Sequence, residues 1–339
     1  MLSPAPFPHW TIRECLEQPQ AIARALAFGG RLFGDRVMLG GMDRAKDRLV
    51  PIHNLLISGC GTSLNAGIYG AKLMRSLDCF DTVTAMDAAE VTLPDLPRHS
   101  GGLLAVSQSG ETRDVFRSVR EAEGQGLPVF SVVNSVGSLI ARTTRLGIYL
   151  NAGRENAVAS TKAFTSQVTA MALLALWFRQ QREDAGEESL ADKSDLLIAL
   201  QRLPISFGMA LRTRDQCKEV AKKLVDKQSL FILGKGFAEP IAYEGALKIK
   251  EISYLNAQGY SGGALKHGPF ALIEGPSGPN GATPIIMIIL DDEHAAQMLT
   301  AAHEVKARGA EITVITDNAK LVREVCSDPV VIPSNGPLT

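Results

Sequence analysis

The sequence predicts an α/β protein built from two tandem, doubly wound parallel-sheet domains. Three observations lead there. Short apolar runs alternate with helical patterns, and two of those runs feed directly into a Gly-x-Gly turn. The whole arrangement then repeats: Gly234 follows Gly59 by 175 positions and Gly309 follows Gly126 by 183. Strands that alternate with helices call for parallel sheets covered on both faces.

Taken in order, residues 1–45 read as a helical lead-in, 46–182 as the first domain, 183–212 as an interdomain helix and linker, and 213–339 as the second domain. The first strand is Leu55-Leu56-Ile57-Ser58, which runs into Gly59-Cys60-Gly61-Thr62-Ser63; its counterpart is Leu230-Phe231-Ile232-Leu233, followed by Gly234-Lys235-Gly236. Residues 103–106 form another apolar strand, matched by 285–290. After each comes a helix-ending glycine, a β-rich run and a polar stop, at 126–134 and at 309–317. The apolar stretch 168–178 falls short of the ~20 residues a membrane span needs and reads as a buried helix. Residues 182–195 are charged and polar, 196–204 read as a helix ending at a boundary, 241–255 as a helix, and 275–282 as a surface loop.

The composition excludes several classes. A 339-residue chain, 45% hydrophobic with a formal charge of −1, has neither the basic excess of a nucleic-acid binder nor a charged tail. The first residues lack the basic-then-apolar build of a signal peptide, so the cytoplasm is the expected compartment. Five cysteines without a CxxC pair point to neither a disulfide framework nor a zinc site, and no metal or other cofactor is expected.

The most informative segment is Ser107-Gln108-Ser109-Gly110-Glu111-Thr112. It joins the strand at 103–106 to a helical pattern with Val115, Phe116, Val119 and Ala122 on one face. The first N–H groups of a helix lack internal partners and the helix dipole favours negative charge there, so a strand, polar turn and helix start can hold an anion. Ser107, Ser109 and Thr112 add hydroxyl donors without a lysine, which suits a phosphate monoester; an ordinary helix cap is the plainer use of the same residues. Thr62 and Ser63, at a second helix start, can share that anion. In the second half the matching position holds Asp291-Asp292-Glu293, whose carboxylates would repel a phosphate. One anion site is therefore expected, in the first half.

Glu244, Lys248 and Glu251 fall on one stripe of the helix at 241–255, an arrangement that a solvated Glu–Lys pair would also produce. His267, in Lys266-His267-Gly268-Pro269, lies in a loop, where functional side chains concentrate; a structural role is the plainer use of a lone histidine.

Six ordered motifs carry a family resemblance: Cys60-Gly61-Thr62-Ser63, residues 107–112, Asn151-Ala152-Gly153, residues 158–165, Glu244-Gly245-Ala246-Leu247-Lys248, and residues 265–269. Together they resemble the isomerase half of the glutamine–fructose-6-phosphate aminotransferases, which is built from two sugar-isomerase (SIS) domains of flavodoxin-like fold. The resemblance implies that Thr62, Ser63, Ser107, Gln108, Ser109 and Thr112 hold a sugar phosphate and that Val158 and Ser160 line the sugar. It implies that Glu251 moves the proton between C1 and C2, and that His267, reaching a neighbouring subunit's site, assists ring opening. The implied ligands are fructose-6-phosphate and glucosamine-6-phosphate, the implied assembly is a homodimer, and the nitrogen would come from free ammonia or a separate glutaminase domain. Neither nucleic acid nor membrane is an expected partner.

Three departures accompany the match. Met1-Leu2-Ser3 leads almost straight into the isomerase region without a glutaminase half. Gln258 and Ala264 stand where the family usually has Glu. The chain closes at Gly336-Pro337-Leu338-Thr339 without the family's tail and its imine-forming lysine, so fructose-6-phosphate is expected to bind and to be converted poorly. An ammonia-dependent glucosamine-6-phosphate deaminase/isomerase and a non-catalytic sugar-phosphate sensor are the alternatives. Lys162 and Lys248 are the nearest candidates by motif for the imine-forming lysine, and each has a plainer use: Lys162 as an electrostatic aid beside Ser160, and Lys248 in a helical pair with Glu244.

Overall fold

The computed structural model describes residues 3–189 and 191–339. Met1 and Leu2 of the expected lead-in and Leu190 of the expected linker lie outside them. The chain divides into two compact units between Pro204 and Ile205, each with one five-stranded parallel sheet.

In the first unit β1 (Asn54–Gly59), β2 (Thr82–Asp87), β3 (Gly101–Ser107), β4 (Val129–Val133) and β5 (Gly147–Tyr149) lie in the order β2-β1-β3-β4-β5. In the second, β6 (Ser229–Gly234), β7 (Asn256–Ser261), β8 (Pro284–Ile288), β9 (Glu311–Thr316) and β10 (Val330–Val331) follow the same order, β7-β6-β8-β9-β10. The repeat seen in sequence is thus a repeat of topology. Every residue of β3 is buried, as a continuous apolar run covered on both faces requires.

The helices that matter below are α1 (Trp10–Leu16), α2 (Gln18–Ala25), α3 (Thr62–Ser76), α4 (Arg113–Gly124), α5 (Leu139–Thr144), α6 (Lys162–Asp184), α7 (Ser194–Ala210), α8 (Arg214–Leu224), α9 (Ala238–Ser253) and α10 (Ala295–Ala307). On α4, Val115, Val119 and Ala122 are buried and pack with Leu103 and Ala105 of β3 and Val129 of β4. The expected buried helix is the middle of α6, which is buried on nearly all sides. There Phe178 meets Phe80 and Phe130 at ring-centre distances of 4.6 and 5.8 Å.

Near the end of α6 the buried Arg182 donates to the carbonyls of Cys79 (3.1 Å), Val50 (3.0 Å) and Ile52. These loop carbonyls would otherwise be buried without donors, at about 1–3 kcal/mol each. The helix at 196–204 was expected to stop at Pro204, but α7 continues to Ala210. A proline removes one N–H from the ladder without ending the helix when the preceding turn is held by packing, here through the buried Leu196, Leu200 and Leu203.

The second sheet is lined on one side by Phe231, Leu233, Ile285, Met287, Met298 and Val305, and on the other by Leu230, Ile232, Ala242 and Ala246 of α9. Residues 275–282 form no helix or strand and precede β8. Among the described residues no helix is long and apolar enough to cross a membrane.

Candidate functional site

In the first unit the strand order reverses between β1 and β3, which lie side by side with Ser58 paired to Ala105. In open α/β sheets the crevice beyond the strand ends at such a reversal is where ligands bind. Both polar turns of the sequence open there: 59–63 follows β1 and 107–112 follows β3.

The second turn is tightly specified. Ser107 Oγ accepts the Gly110 N–H at 2.9 Å and shares a 2.9 Å hydrogen bond with Thr112 Oγ1. Ser109 Oγ accepts the Glu111 N–H at 3.1 Å, which keeps its own proton available for a ligand. The Glu111 carboxylate turns to the start of α5, where it accepts the Leu139 N–H at 2.9 Å, so its charge is engaged with that helix. Gly110 has φ +68°, and a Cβ there would stand 2.6 Å from Ser138 Cβ. Thr112 is the N-cap of α4, and Gly61 (φ +53°) precedes α3. Two helix N-termini therefore meet a set of hydroxyls at one crevice, the arrangement that holds an anion with neutral donors.

The buried Ser63 accepts a 2.8 Å hydrogen bond from Gln167 Nε2 of α6. A third segment joins through Asn134: its N–H donates to the Gln108 carbonyl (3.1 Å), its Oδ1 accepts the Ala152 N–H (2.9 Å), and its Nδ2 donates to the Gly153 carbonyl (2.8 Å). The loop that leads from there to α6 carries Val158, 94% exposed, and Ser160, whose Oγ donates to Glu155 at 2.8 Å. Glu155 also accepts the N–H groups of Thr161 (2.8 Å) and Ala163 (3.2 Å), capping α6. The structure thus brings Ser107, Gln108, Ser109 and Thr112 together at the crevice with Thr62 and Ser63, and ties the 151–161 loop to Gln108.

Cys60, inside the Gly-x-Gly turn, is disfavoured as a thiolate. Burial, with Asp87 beside it, pushes its thiol up to about 11. Lys162 departs from its expected role: it is buried and its Nζ lies 2.7 Å from Glu17 of the lead-in. A buried ammonium is drawn to the nearest carboxylate, and here that is not the sugar loop. Burial works against the Glu17 charge, but hydrogen bonds from Lys162 and Arg13 outweigh it and hold the carboxyl below the usual carboxylate range.

In the second unit Glu251 lies in the last turn of α9, with Lys248 Nζ 2.6 Å from it and 3.4 Å from the buried Glu244. Lys248 therefore serves both carboxylates, where the sequence pairs it with Glu244 alone. The Glu251 side chain keeps 31% of its surface. His267 is exposed and ends a 3₁₀ turn, Ala264–His267. Of the two residues that stand where the family usually has Glu, Gln258 accepts from the Tyr260 hydroxyl and donates to Asn256 Oδ1 (3.3 Å), and Ala264 opens the 3₁₀ turn. At the switch point of this sheet Asp291 binds Asn318 Nδ2 (2.8 Å), its N–H donates to Asp317 (2.9 Å), and Asp292 accepts the His294 N–H (2.8 Å). Carboxylates fill the position that hydroxyls take in the first unit.

Sequence reasoning missed Asn134 as a tie, Glu155 as a cap, and the partners that the lead-in supplies. A polar stop after a β-run was the one visible sign of Asn134. Among the described residues no group of three or more His, Cys, Asp or Glu is placed to hold a metal.

A repeated parallel α/β unit with a hydroxyl-rich crevice at its switch point defines the class. The SIS domain family matches residues 48–177 and 223–322, and the chain belongs to that family. It is 36% identical over 338 residues to the glutamine–fructose-6-phosphate aminotransferase (isomerizing) of Thermus thermophilus, covering 98% of this chain and 53% of that protein. It is 34% identical over 328 residues to the Chlorobaculum tepidum protein of the same name, covering 96% of this chain and 52% of that one. The chain thus spans about half the length of the curated relatives it matches. Among solved structures, the C-terminal domain of glucosamine-fructose-6-phosphate aminotransferase from Francisella tularensis superposes with a TM-score of 0.88 at 28% identity, over 99% of this chain and 92% of that one. Glucosamine-6-phosphate deaminase from Thermotoga maritima shares the fold alone, with a TM-score of 0.67 at 19% identity over 97% of this chain and 90% of that one.

Proposed function

We propose that this chain binds fructose-6-phosphate in the crevice of its first unit and carries out the isomerising half of glucosamine-6-phosphate formation, a step of hexosamine synthesis. The observation that carries the reading is the cradle at 107–112. Ser109 keeps a proton to donate, Ser107 and Thr112 share one between them, and the start of α4 faces the same turn. Thr62 and Ser63 complete it from the start of α3, and Gln108 adds a side-chain amide. Val158 and Ser160 then meet the sugar, with Ser160 Oγ, already donating to Glu155, free to accept from a sugar hydroxyl.

Aldose–ketose interconversion needs one base that takes a proton from one carbon and returns it to its neighbour. Glu251 is that base, with the Lys248 ammonium 2.6 Å away to stabilise the enolate oxygen that develops in the reaction. His267 assists ring opening from a neighbouring subunit. Ammonia, free or released by a glutaminase, supplies the amine. Phosphorylated hexoses as substrates place the reaction in the cytoplasm. The test is incubation with fructose-6-phosphate in D₂O, followed by NMR. Deuterium at C1 or C2 is the expected result; a sugar that binds and never exchanges would contradict the assignment of Glu251.

A site completed by a neighbour requires at least a dimer. Sedimentation at micromolar concentration should show one, and a clean monomer near 36.3 kDa would count against the role of His267.

A further inference from the structure

Glu14 of α1 is fully buried, 0% exposed, and its carboxylate accepts two backbone N–H groups from far along the chain: Asn156 at 2.6 Å and Ala157 at 3.2 Å. Those are the two residues immediately before Val158. A buried carboxylate is costly unless its oxygens are hydrogen-bonded, and here one oxygen meets each amide. The lead-in holds the same segment at two other points. Arg24 of α2 donates from Nε to the Asn151 carbonyl (2.9 Å) and from Nη2 to the Ala152 carbonyl (2.8 Å). Glu17 takes the Lys162 ammonium at the opposite end of the loop. Three charged side chains of one short helical pair thus fix the start, the approach to the tip and the end of the stretch 151–162, while Val158 at the tip is left 94% exposed.

We infer that Glu14 is a positioning residue for the sugar: it holds the backbone at Asn156 and Ala157 so that Val158 and Ser160 stand where a hexose can meet them. The inference rests on the proposed placement of the sugar at Val158 and Ser160. It gives the lead-in helices a task in ligand recognition that is separate from the phosphate cradle, since the Glu14 carboxylate bonds the loop at Asn156 and Ala157 and not the turn at 107–112.

The difference between loop and cradle supplies the test. Glu14→Gln preserves shape but turns an amide NH₂ toward one of the two backbone N–H groups. Native chain, Glu14→Gln and Ser160→Ala are titrated with fructose-6-phosphate and, separately, with inorganic phosphate. Glu14→Gln should weaken fructose-6-phosphate about tenfold, the scale of one hydrogen bond to a charged group, and leave inorganic phosphate within about twofold of native. A general loosening of the fold would weaken both ligands together, and that result, or an unchanged sugar-phosphate affinity, overturns the inference. If Ser160→Ala also leaves fructose-6-phosphate unaffected, the loop does not line the sugar, and the underlying placement fails along with the inference. Should Glu14→Gln not fold, Arg24→Gln probes the same clamp from its partly exposed side and is held to the same split between the two ligands.

Discussion

Replacing Glu251 by glutamine is expected to abolish deuterium exchange at C1 and C2 of fructose-6-phosphate while leaving binding of the sugar phosphate intact. The side chain keeps its length but loses its charge and its capacity to accept a proton. Removing a general base of this kind costs about 10²–10⁴-fold in rate. Binding is expected to survive because the hydroxyls of the proposed cradle at 107–112 make their hydrogen bonds within their own turn, and the ion pair of Glu251 is with Lys248. Lys248 loses one of its two carboxylate partners and keeps Glu244 at 3.4 Å, so α9 retains an ion pair along the same face. Exchange measured by NMR, alongside a binding isotherm, separates the two effects. Exchange at the native rate would show that another group moves the proton.

The second large effect is expected at Gly110. Substitution by alanine places a Cβ 2.6 Å from Ser138 Cβ at a backbone φ of +68°, where a side chain is already strained. Neither atom is the end of a flexible chain, so the turn must move. That turn positions the Gly110 N–H on Ser107 Oγ and the Gly110 carbonyl, which accepts the Ile140 N–H at 3.0 Å. Overpacking together with left-handed strain should lower stability by about 2–4 kcal/mol. Displacing several phosphate donors at once should lower fructose-6-phosphate affinity roughly 100-fold, or about 2.7 kcal/mol. Denaturant titration and calorimetry on the same preparation read both. Native affinity in a folded Gly110→Ala chain would exclude this turn as the cradle.

Much of this architecture was legible in the sequence because it depends on local pattern. Apolar runs ending in Gly-x-Gly, and their recurrence 175 positions later, specify parallel strands and a duplicated sheet whatever the details of packing. The contrast between Ser107-Gln108-Ser109 and Asp291-Asp292-Glu293 likewise needs no coordinates. What stayed hidden is the set of contacts that join distant segments. Glu14 and Asn156 are 142 positions apart, and Lys162 and Glu17 are 145. No periodicity connects them, and a lone Glu on a short helix reads as a solvated face. Lys162 was misplaced for that reason: its neighbours in sequence suggested the sugar, while its neighbour in space is Glu17. Pro204 was read as a stop because a local rule was applied where packing of Leu196, Leu200 and Leu203 prevailed. The helix stripe of Glu244, Lys248 and Glu251 was visible, but which carboxylate the lysine favours was not, since i,i+3 and i,i+4 spacings are both within reach.

The central claim is that a hexose phosphate sits on the hydroxyls of residues 107–112 in the first unit. Calorimetric titration of fructose-6-phosphate into the native chain and into Ser109→Ala tests it most directly. Ser109 Oγ accepts one short-range bond, from the Glu111 N–H, and its removal leaves the partly buried Ser107–Thr112 pair in place. The account predicts binding to the native chain and a loss of roughly 1–2 kcal/mol in Ser109→Ala, the order of one hydrogen bond to a charged group. An affinity unchanged by the substitution would contradict it.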